Sequence, residues 1–315
     1  MAKIAVIGEV LVEIMADTPG NGFDAPMALR GPYPSGAPAI FIDQVARLGQ
    51  PCGIVSAVGN DDFGRLNLAR LAGDGVDVSA VSLDRDRPTG SAFVRYRPDG
   101  TRDFVFNIAH SACAGITLTE AAQAMLAGCQ HLHIMGTSLF SPGLVAANLA
   151  AARQIKSQGG TVSFDPNLRK EMAISPDRRA DLHRILAVSD VYLPSGDELF
   201  LLTTAQDEPG AMAEIIAAGP RVIVHKRGAA GLVCHAAGQD IALPAYPVDA
   251  IDPTGAGDCC GAAFVTMWLR GADLPRALTI AAAAGAQAVT QRGPMEGTAT
   301  LAQLDDFIAR SGPLI

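Results

Sequence analysis

Apolar and polar positions along this chain follow two different periods. From residue 36 onward, short runs rich in β-branched residues alternate with alanine-rich stretches of helical spacing. Residues 53–59, 131–136, 161–165, 190–194 and 221–226 read as strands, with helical runs such as 142–158 and 211–218 between them. That βαβ alternation predicts an α/β fold: a mostly parallel central sheet flanked by helices. Two segments break the pattern. Residues 10–35 carry the turn cluster Asp17-Thr18-Pro19-Gly20-Asn21-Gly22, then further prolines and no long helix. Residues 88–108 alternate with period two around a turn at Pro98-Asp99-Gly100, which predicts a β-hairpin. Together they predict a small sheet outside the main fold, placed as a lid over a cleft. An apolar face of that hairpin, assigned to Phe93, Phe104 and Phe106, needs cover and predicts a homodimer through the lid.

Several predicted strands end in polar residues, Asp165 and Lys226 among them. In open α/β sheets, ligands bind beyond the carboxyl ends of the strands. The most informative segment lies further on, in Asp252-Pro253-Thr254-Gly255-Ala256-Gly257-Asp258, followed by a run of small and apolar residues to Trp268. Gly255 and Gly257 let the backbone turn with its N–H groups on one side, and a helix start with free N–H groups is an anion site. Asp258 falls in the first helical turn. A carboxylate beside a bound anion suits removal of a proton from a hydroxyl that attacks a phosphoryl group. The plain alternative is a glycine turn followed by an ordinary helix-start charge.

Composition narrows the classes. A chain of 315 residues with 49% hydrophobic content suits one large domain with an appendage, or two domains. With 24 Lys and Arg against 32 Asp and Glu, the net charge of -8 argues against nonspecific nucleic-acid binding. No stretch has the length and apolarity of a membrane span. The N-terminus runs from Met1-Ala2-Lys3 straight into a strand rather than a signal peptide, so the cytoplasm is the expected location. The six cysteines form no C-x-x-C pair and no zinc pattern, and are expected to be buried thiols.

At this point the motifs add up. The chain resembles the PfkB (ribokinase-like) carbohydrate kinase family over nearly its whole length. Residues 252–258 resemble the family's D-T-x-G-A-G-D. Ser35-Gly36-Ala37-Pro38-Ala39 with Ala46-Arg47-Leu48-Gly49 resembles its N-terminal signature. Val58-Gly59-Asn60-Asp61-Asp62-Phe63-Gly64, Phe164-Asp165-Pro166-Asn167-Leu168-Arg169 and Lys226-Arg227-Gly228-Ala229-Ala230-Gly231 occur where the family has such segments. Five segments in order are far more specific than one.

The resemblance implies a ribokinase-like fold over 1–315, with a small β-sheet lid from inserted segments at about 10–35 and 88–108. It implies an ATP- and Mg2+-dependent kinase acting on a sugar hydroxyl. Asp258 is then the general base, and the N–H groups of Gly255, Ala256 and Gly257 stabilise the transferring phosphate. Lys226, Gly228, Gly231 and Thr254 join Gly255 and Gly257 in binding the nucleotide, with Val248 and residues 281–285 around the adenine. Glu13, Gly36, Ala37, Asn107, Asn167 and Arg169 join Asp258 at the sugar. Glu198 handles Mg2+ indirectly, and a monovalent cation such as K+ sits near Asp252 in some relatives.

Three departures from the family pattern bear on specificity. Ser35 and Ile40 replace a glycine and an asparagine of the N-terminal signature, Ser195 replaces the asparagine of an N-x-x-E motif that ends at Glu198, and Glu13 stands where many members have aspartate. Ile108 occupies the slot that an arginine fills in keto-acid kinases, ahead of Ser111-Ala112. A keto-acid substrate would lose a charge-assisted partner there. The expected acceptor is therefore a ketohexose of tagatose or fructose type, with 2-keto-3-deoxygluconate as the alternative. A nucleoside kinase ranks lower because aromatics are only 5% of the chain. A non-catalytic sugar-binding regulator ranks lower because Asp258 and its glycines are intact.

Overall fold

The computed structural model describes residues 3–168, 175–312 and 314. Strand β1 (Ile4–Ile7) opens the main sheet, and the chain then leaves it for β2 (Leu11–Ala16) and β3 (Leu29–Ser35). Helix α1 (Ala37–Arg47) returns the chain to β4 (Cys52–Gly59), followed by α2 (Asp62–Gly73) and β5 (Val81–Asp84). The predicted hairpin follows as β6 (Gly90–Tyr96) and β7 (Arg102–Asn107). Alternation then resumes through α3 (Glu120–Ala127), β8 (His131–Met135), α4 (Pro142–Ser157), β9 (Thr161–Asp165), α5 (Pro176–Leu186), β10 (Val191–Tyr192), α6 (Glu208–Ala218) and β11 (Val222–Lys226). An antiparallel pair, β12 (Leu232–Ala236) and β13 (Gln239–Leu243), closes the sheet edge, and α7 (Ala256–Leu269), α8 (Leu274–Ala288) and α9 (Leu301–Ser311) complete the chain.

The main sheet runs β13-β12-β11-β10-β9-β8-β1-β4-β5, and the strands from β11 across to β5 are parallel. Helices cover both faces, so central strands such as β8 are buried along their whole length, as parallel strands between helices must be. One core joins the sheet to α1, α7, α8 and α9, and the other joins it to α3, α4, α5 and α6. Local chemistry sets the helix starts. Ser141 caps α4 by accepting from Leu144 N at 3.3 Å with Pro142 at the first position, and Asp61 caps α2 by accepting from Gly64 N at 2.8 Å. The Asp61 carboxylate also accepts from Thr89 N and Thr89 Oγ1, both at 2.7 Å, which fixes the entry to β6 against the end of β4. No helix among the described residues is long and apolar enough to cross a membrane.

The small sheet is real and has the order β3-β2-β6-β7, with β2 parallel to β6. Its sidedness corrects one expectation. Phe93 pairs with Val105, whereas Phe104 pairs with Val94 and Phe106 with Ala92. Directly paired residues share a face, so Phe93 lies on the face opposite Phe104 and Phe106. One face carries Glu13, Tyr33, Ser35, Ala92, Val94, Tyr96, Arg102, Phe104 and Phe106; the other carries Ile14, Phe93, Val105 and Asn107. On the first face Phe104 and Phe106 stack with centroids 5.0 Å apart, and Arg102 lies over Phe104.

The two ends of the chain are fastened together. The buried Gln44 carboxamide donates to Ala299 O at 2.8 Å and accepts from Ala299 N at 3.0 Å. Arg70 donates to Met295 O at 2.7 Å. These bonds hold the turn before α9 against α1 and α2.

Candidate active site

The carboxyl ends of β9 and β11 and the start of α7 meet at one place. Gly255 is the N-cap of α7 with φ +82°, a left-handed conformation that suits glycine. A Cβ there would lie 2.4 Å from Pro294 O and 3.2 Å from Ile40 Cγ2. The turn is thus pressed between α1 and the loop before α9. The first helical bond of α7 runs from Cys259 N to Gly255 O at 2.8 Å, so the N–H groups before it have no carbonyl in their own helix. These are the N–H groups that the sequence reading assigned to an anion at Gly255, Ala256 and Gly257.

Asp258, one residue further, is 4% exposed and accepts from Asn167 Nδ2 at 2.9 Å. Asn167 reaches it from beyond β9 with φ +35°, a conformation asparagine tolerates better than most residues. Its own N–H bonds back to Asp165 Oδ1 at 3.2 Å. The other oxygen of Asp165 accepts from Lys226 Nζ in a buried ion pair. Burial alone would lower the Lys226 pKa, but the Asp165 and Glu198 carboxylates outweigh it and hold the ammonium above its ordinary value. Lys226 Nζ also lies 3.5 Å from where a Gly257 side chain would begin, so its charge faces the anion site. Sequence reasoning placed Lys226 with the nucleotide but missed Asp165 as its partner. The only signal was that both residues end parallel strands.

Glu198 closes the same cluster. Its oxygens accept from Leu168 N at 2.7 Å and Ser195 N at 2.8 Å. Burial first, and then the neighbouring Asp165 charge, push its pKa up to about 7. Each Glu198 oxygen thus accepts one backbone N–H, which fixes the carboxylate beside the Asp165–Lys226 pair. Among the described residues no group of three or more His, Cys, Asp or Glu side chains is placed to hold a metal ion.

Glu13 lies on the same face of the small sheet as Tyr96. It is 4% exposed and accepts from Ser35 Oγ at 3.2 Å. Ser35 leads into Gly36, the N-cap of α1, and Ala37 begins that helix. One turn on, Ile40 packs under Gly255, which links the Gly36-Ala37 turn to the anion site. Asn107 departs from this grouping. It is exposed on the opposite face from Glu13 and donates to Ser91 Oγ at 3.3 Å. With Ile108, His110, Phe106 and Asp61 it lines a cavity of about 610 Å³ whose lining does not include Asp258. Arg169 lies outside the described residues.

Gly228 and Gly231 sit in the turn after β11, both at positive φ. Gly228 faces open space, while a Cβ at Gly231 would meet Leu243 O at 2.0 Å. Gly231 therefore serves the β12–β13 packing as well. Val248 packs against the first core, and a side chain on Gly285 would begin 3.3 Å from Ala256 O, so α8 borders the start of α7. Thr254, expected with the nucleotide, and Asp252, expected near a monovalent cation, form a junction with Tyr96 that the sequence did not show. The Tyr96 hydroxyl donates to Asp252 Oδ1 and lies 2.8 Å from Thr254 Oγ1. Asp252 also accepts from Thr254 N at 3.0 Å and Gly293 N at 2.9 Å.

Residues 1–301 match the family model described as pfkB family carbohydrate kinase. A fructokinase of Klebsiella pneumoniae is 34% identical over 305 residues, covering 93% of this chain and 95% of that protein. A 2-dehydro-3-deoxygluconokinase of Thermoproteus tenax is 30% identical over 320 residues, covering 98% and 94%. Among solved structures, a candidate ribokinase II from Escherichia coli in complex with ATP and Mg2+ superposes with a TM-score of 0.93. It is 48% identical and covers 98% of this chain and 100% of that one.

Proposed function

Because the chain belongs to the pfkB family of carbohydrate kinases and is an ATP-dependent sugar kinase, we propose that its acceptor is a neutral ketohexose of tagatose or fructose type. The observation that carries this reading is Glu13. A buried carboxylate on the acceptor side accepts hydrogen bonds from sugar hydroxyls and repels an acidic substrate. Ile108 adds to it, since an apolar residue stands where a keto-acid kinase has a cation. The 2-dehydro-3-deoxygluconokinase relative supports a second reading, with Arg169 as the carboxylate partner.

In the proposed reaction ATP places its terminal phosphate on the N–H groups of Gly255, Ala256 and Gly257, with Lys226 adding positive charge from below. Asp258 takes the proton of the attacking hydroxyl as that oxygen bonds to phosphorus and ADP leaves. Asn167 fixes the orientation of the Asp258 carboxylate. Mg2+ supplies charge neutralisation on the phosphates when bound, and Glu198 is the residue here that would reach its water shell. Asp252, beside which a monovalent cation is expected in some relatives, accepts here from Tyr96, Thr254 and Gly293.

The test is an ADP-release screen over ketoses, aldoses, keto acids and nucleosides with Mg-ATP. Tagatose or fructose is expected to give the highest kcat/KM, and Ile108→Arg is expected to raise relative activity on 2-keto-3-deoxygluconate by about 5-fold or more. Faster turnover of the keto acid by the wild type would overturn the ketohexose assignment.

The small sheet is proposed as a lid whose outer face joins two copies. Val105 and Leu29 are 47% and 46% exposed, and Phe93 and Ile14 stand beside Val105 on that face. Light scattering at micromolar concentration is expected to give twice the 32.5 kDa chain mass, and a monomer would remove the proposal.

A further inference from the structure

Three parts of the molecule converge on the Asp252 carboxylate, which is 1% exposed. The small sheet contributes the Tyr96 hydroxyl from the end of β6. The turn that opens α7 contributes Thr254 N, and the loop before α9 contributes Gly293 N. Thr254 is gripped a second time, since its hydroxyl lies 2.8 Å from Tyr96 Oη and accepts from Arg102 Nη1 at 3.4 Å. The next residue is Gly255. A second strap lies farther out, where Asp17 from the end of β2 pairs with both Arg30 and Arg292, the latter at 3.2 Å. The Tyr33 ring lies against Gly293, 2.9 Å from where a side chain there would begin. The face of the small sheet that carries Glu13 is therefore bonded directly to the turn that shapes the anion site.

We propose that Tyr96 is a positioning residue that couples closure of the small sheet to assembly of the phosphate turn, so that phosphate goes to the sugar and not to water. This rests on the kinase mechanism given above. Tyr96 touches no reacting atom. It acts through Asp252 and Thr254, whose backbone precedes the N–H groups of Gly255 and Ala256. With the sheet latched, those donors are aligned only when the acceptor side is covered. With the latch cut, the turn can hold the terminal phosphate while the acceptor side stands open. A water oxygen then bonds to phosphorus, the bond to the bridging oxygen breaks, ADP leaves with the electron pair, and Asp258 takes the water proton. Burial and the Asp252 charge raise the Tyr96 pKa, which keeps the hydroxyl a donor to Asp252.

Tyr96→Phe keeps the ring and removes only the hydroxyl. With the sugar that the wild type turns over best, its kcat is expected to fall about 10-fold, because misplaced catalytic groups cost rate steeply. The ADP released per sugar phosphate formed is expected to rise from one to about two or more. Thr254→Val cuts the same linkage from the other side and is expected to raise the ratio likewise. The double variant should be no worse than the worse single, as for two residues serving one interaction. A ratio that stays at one in Tyr96→Phe, with kcat unchanged, overturns the proposal. If that variant does not fold, the ratio in Thr254→Val decides in the same way. A wild type that prefers another sugar revises the acceptor assignment and leaves this test intact, since the ratio is read on whichever sugar it uses.

Discussion

Asp258→Asn is expected to lower kcat by at least about 100-fold while leaving ATP affinity within a few-fold. The two carboxylate functions separate cleanly at this position. The amide keeps the volume and can still present an oxygen to Asn167, whose Nδ2 lies 2.9 Å from Asp258 Oδ1. The first turn of α7 and its N–H groups are therefore preserved, and with them the phosphate contacts. What is lost is the ability to accept a proton from the attacking hydroxyl. Coupled ADP release gives kcat, and calorimetric titration with ATP gives affinity. Retention of most of the turnover would remove Asp258 from the role of base, and a collapse of ATP affinity would place it among the binding groups instead.

The largest stability effect is expected from Asp165→Ala. Asp165 is 1% exposed and its partner Lys226 is 7% exposed, so neither charge has water to fall back on. Removing Asp165 leaves the buried Lys226 ammonium without its direct partner and with only the Glu198 carboxylate nearby, at a cost of about 3 kcal/mol, the low end for breaking a buried pair. The carboxylate also accepts from Asn167 N, so the segment that orients Asp258 loosens at the same time. Urea unfolding measures the loss. A double change, Asp165→Leu with Lys226→Met, is expected to recover much of the stability while remaining inactive, because it removes the stranded ammonium but also the charge beneath the anion site. A single variant within about 1 kcal/mol of wild type would mean that Lys226 finds another partner or gives up its proton.

The main sheet was legible because strands between two helical layers are buried end to end and read as short, largely apolar runs, as residues 4–7 and 53–59 do. The turn that opens α7 was legible because Gly255, at positive φ and pressed against Pro294, is needed for a backbone reason that leaves a mark in sequence, whereas Gly257 sits inside the helix with room for a side chain. The sidedness of the small sheet was not legible. Alternation along one strand says which residues share its face, but the offset between β6 and β7 depends on how the 97–101 turn closes. A shift of one residue moves every side chain across. Asp165 and Asp252 were quoted in motifs, yet their partners, Lys226 and Tyr96, lie 61 and 156 residues away along the chain. Such pairings are set by the packing of whole elements and leave no local signal. Asn107 shows the converse: a polar residue beside a family motif that the strand register turns outward.

The Gln44 and Arg70 bonds to residues 295–299 bear on how the enzyme comes into being on the ribosome. The turn at Gly255 is held from behind by Pro294, and that loop is held in turn by side chains from the first quarter of the chain. A chain whose synthesis has just passed Asp258 already has its base and its glycines. It lacks the wall against which Gly255 is set, and that wall emerges some forty residues later. Assembly of the catalytic turn therefore waits for the loop at Pro294, after the sheet strands have all emerged.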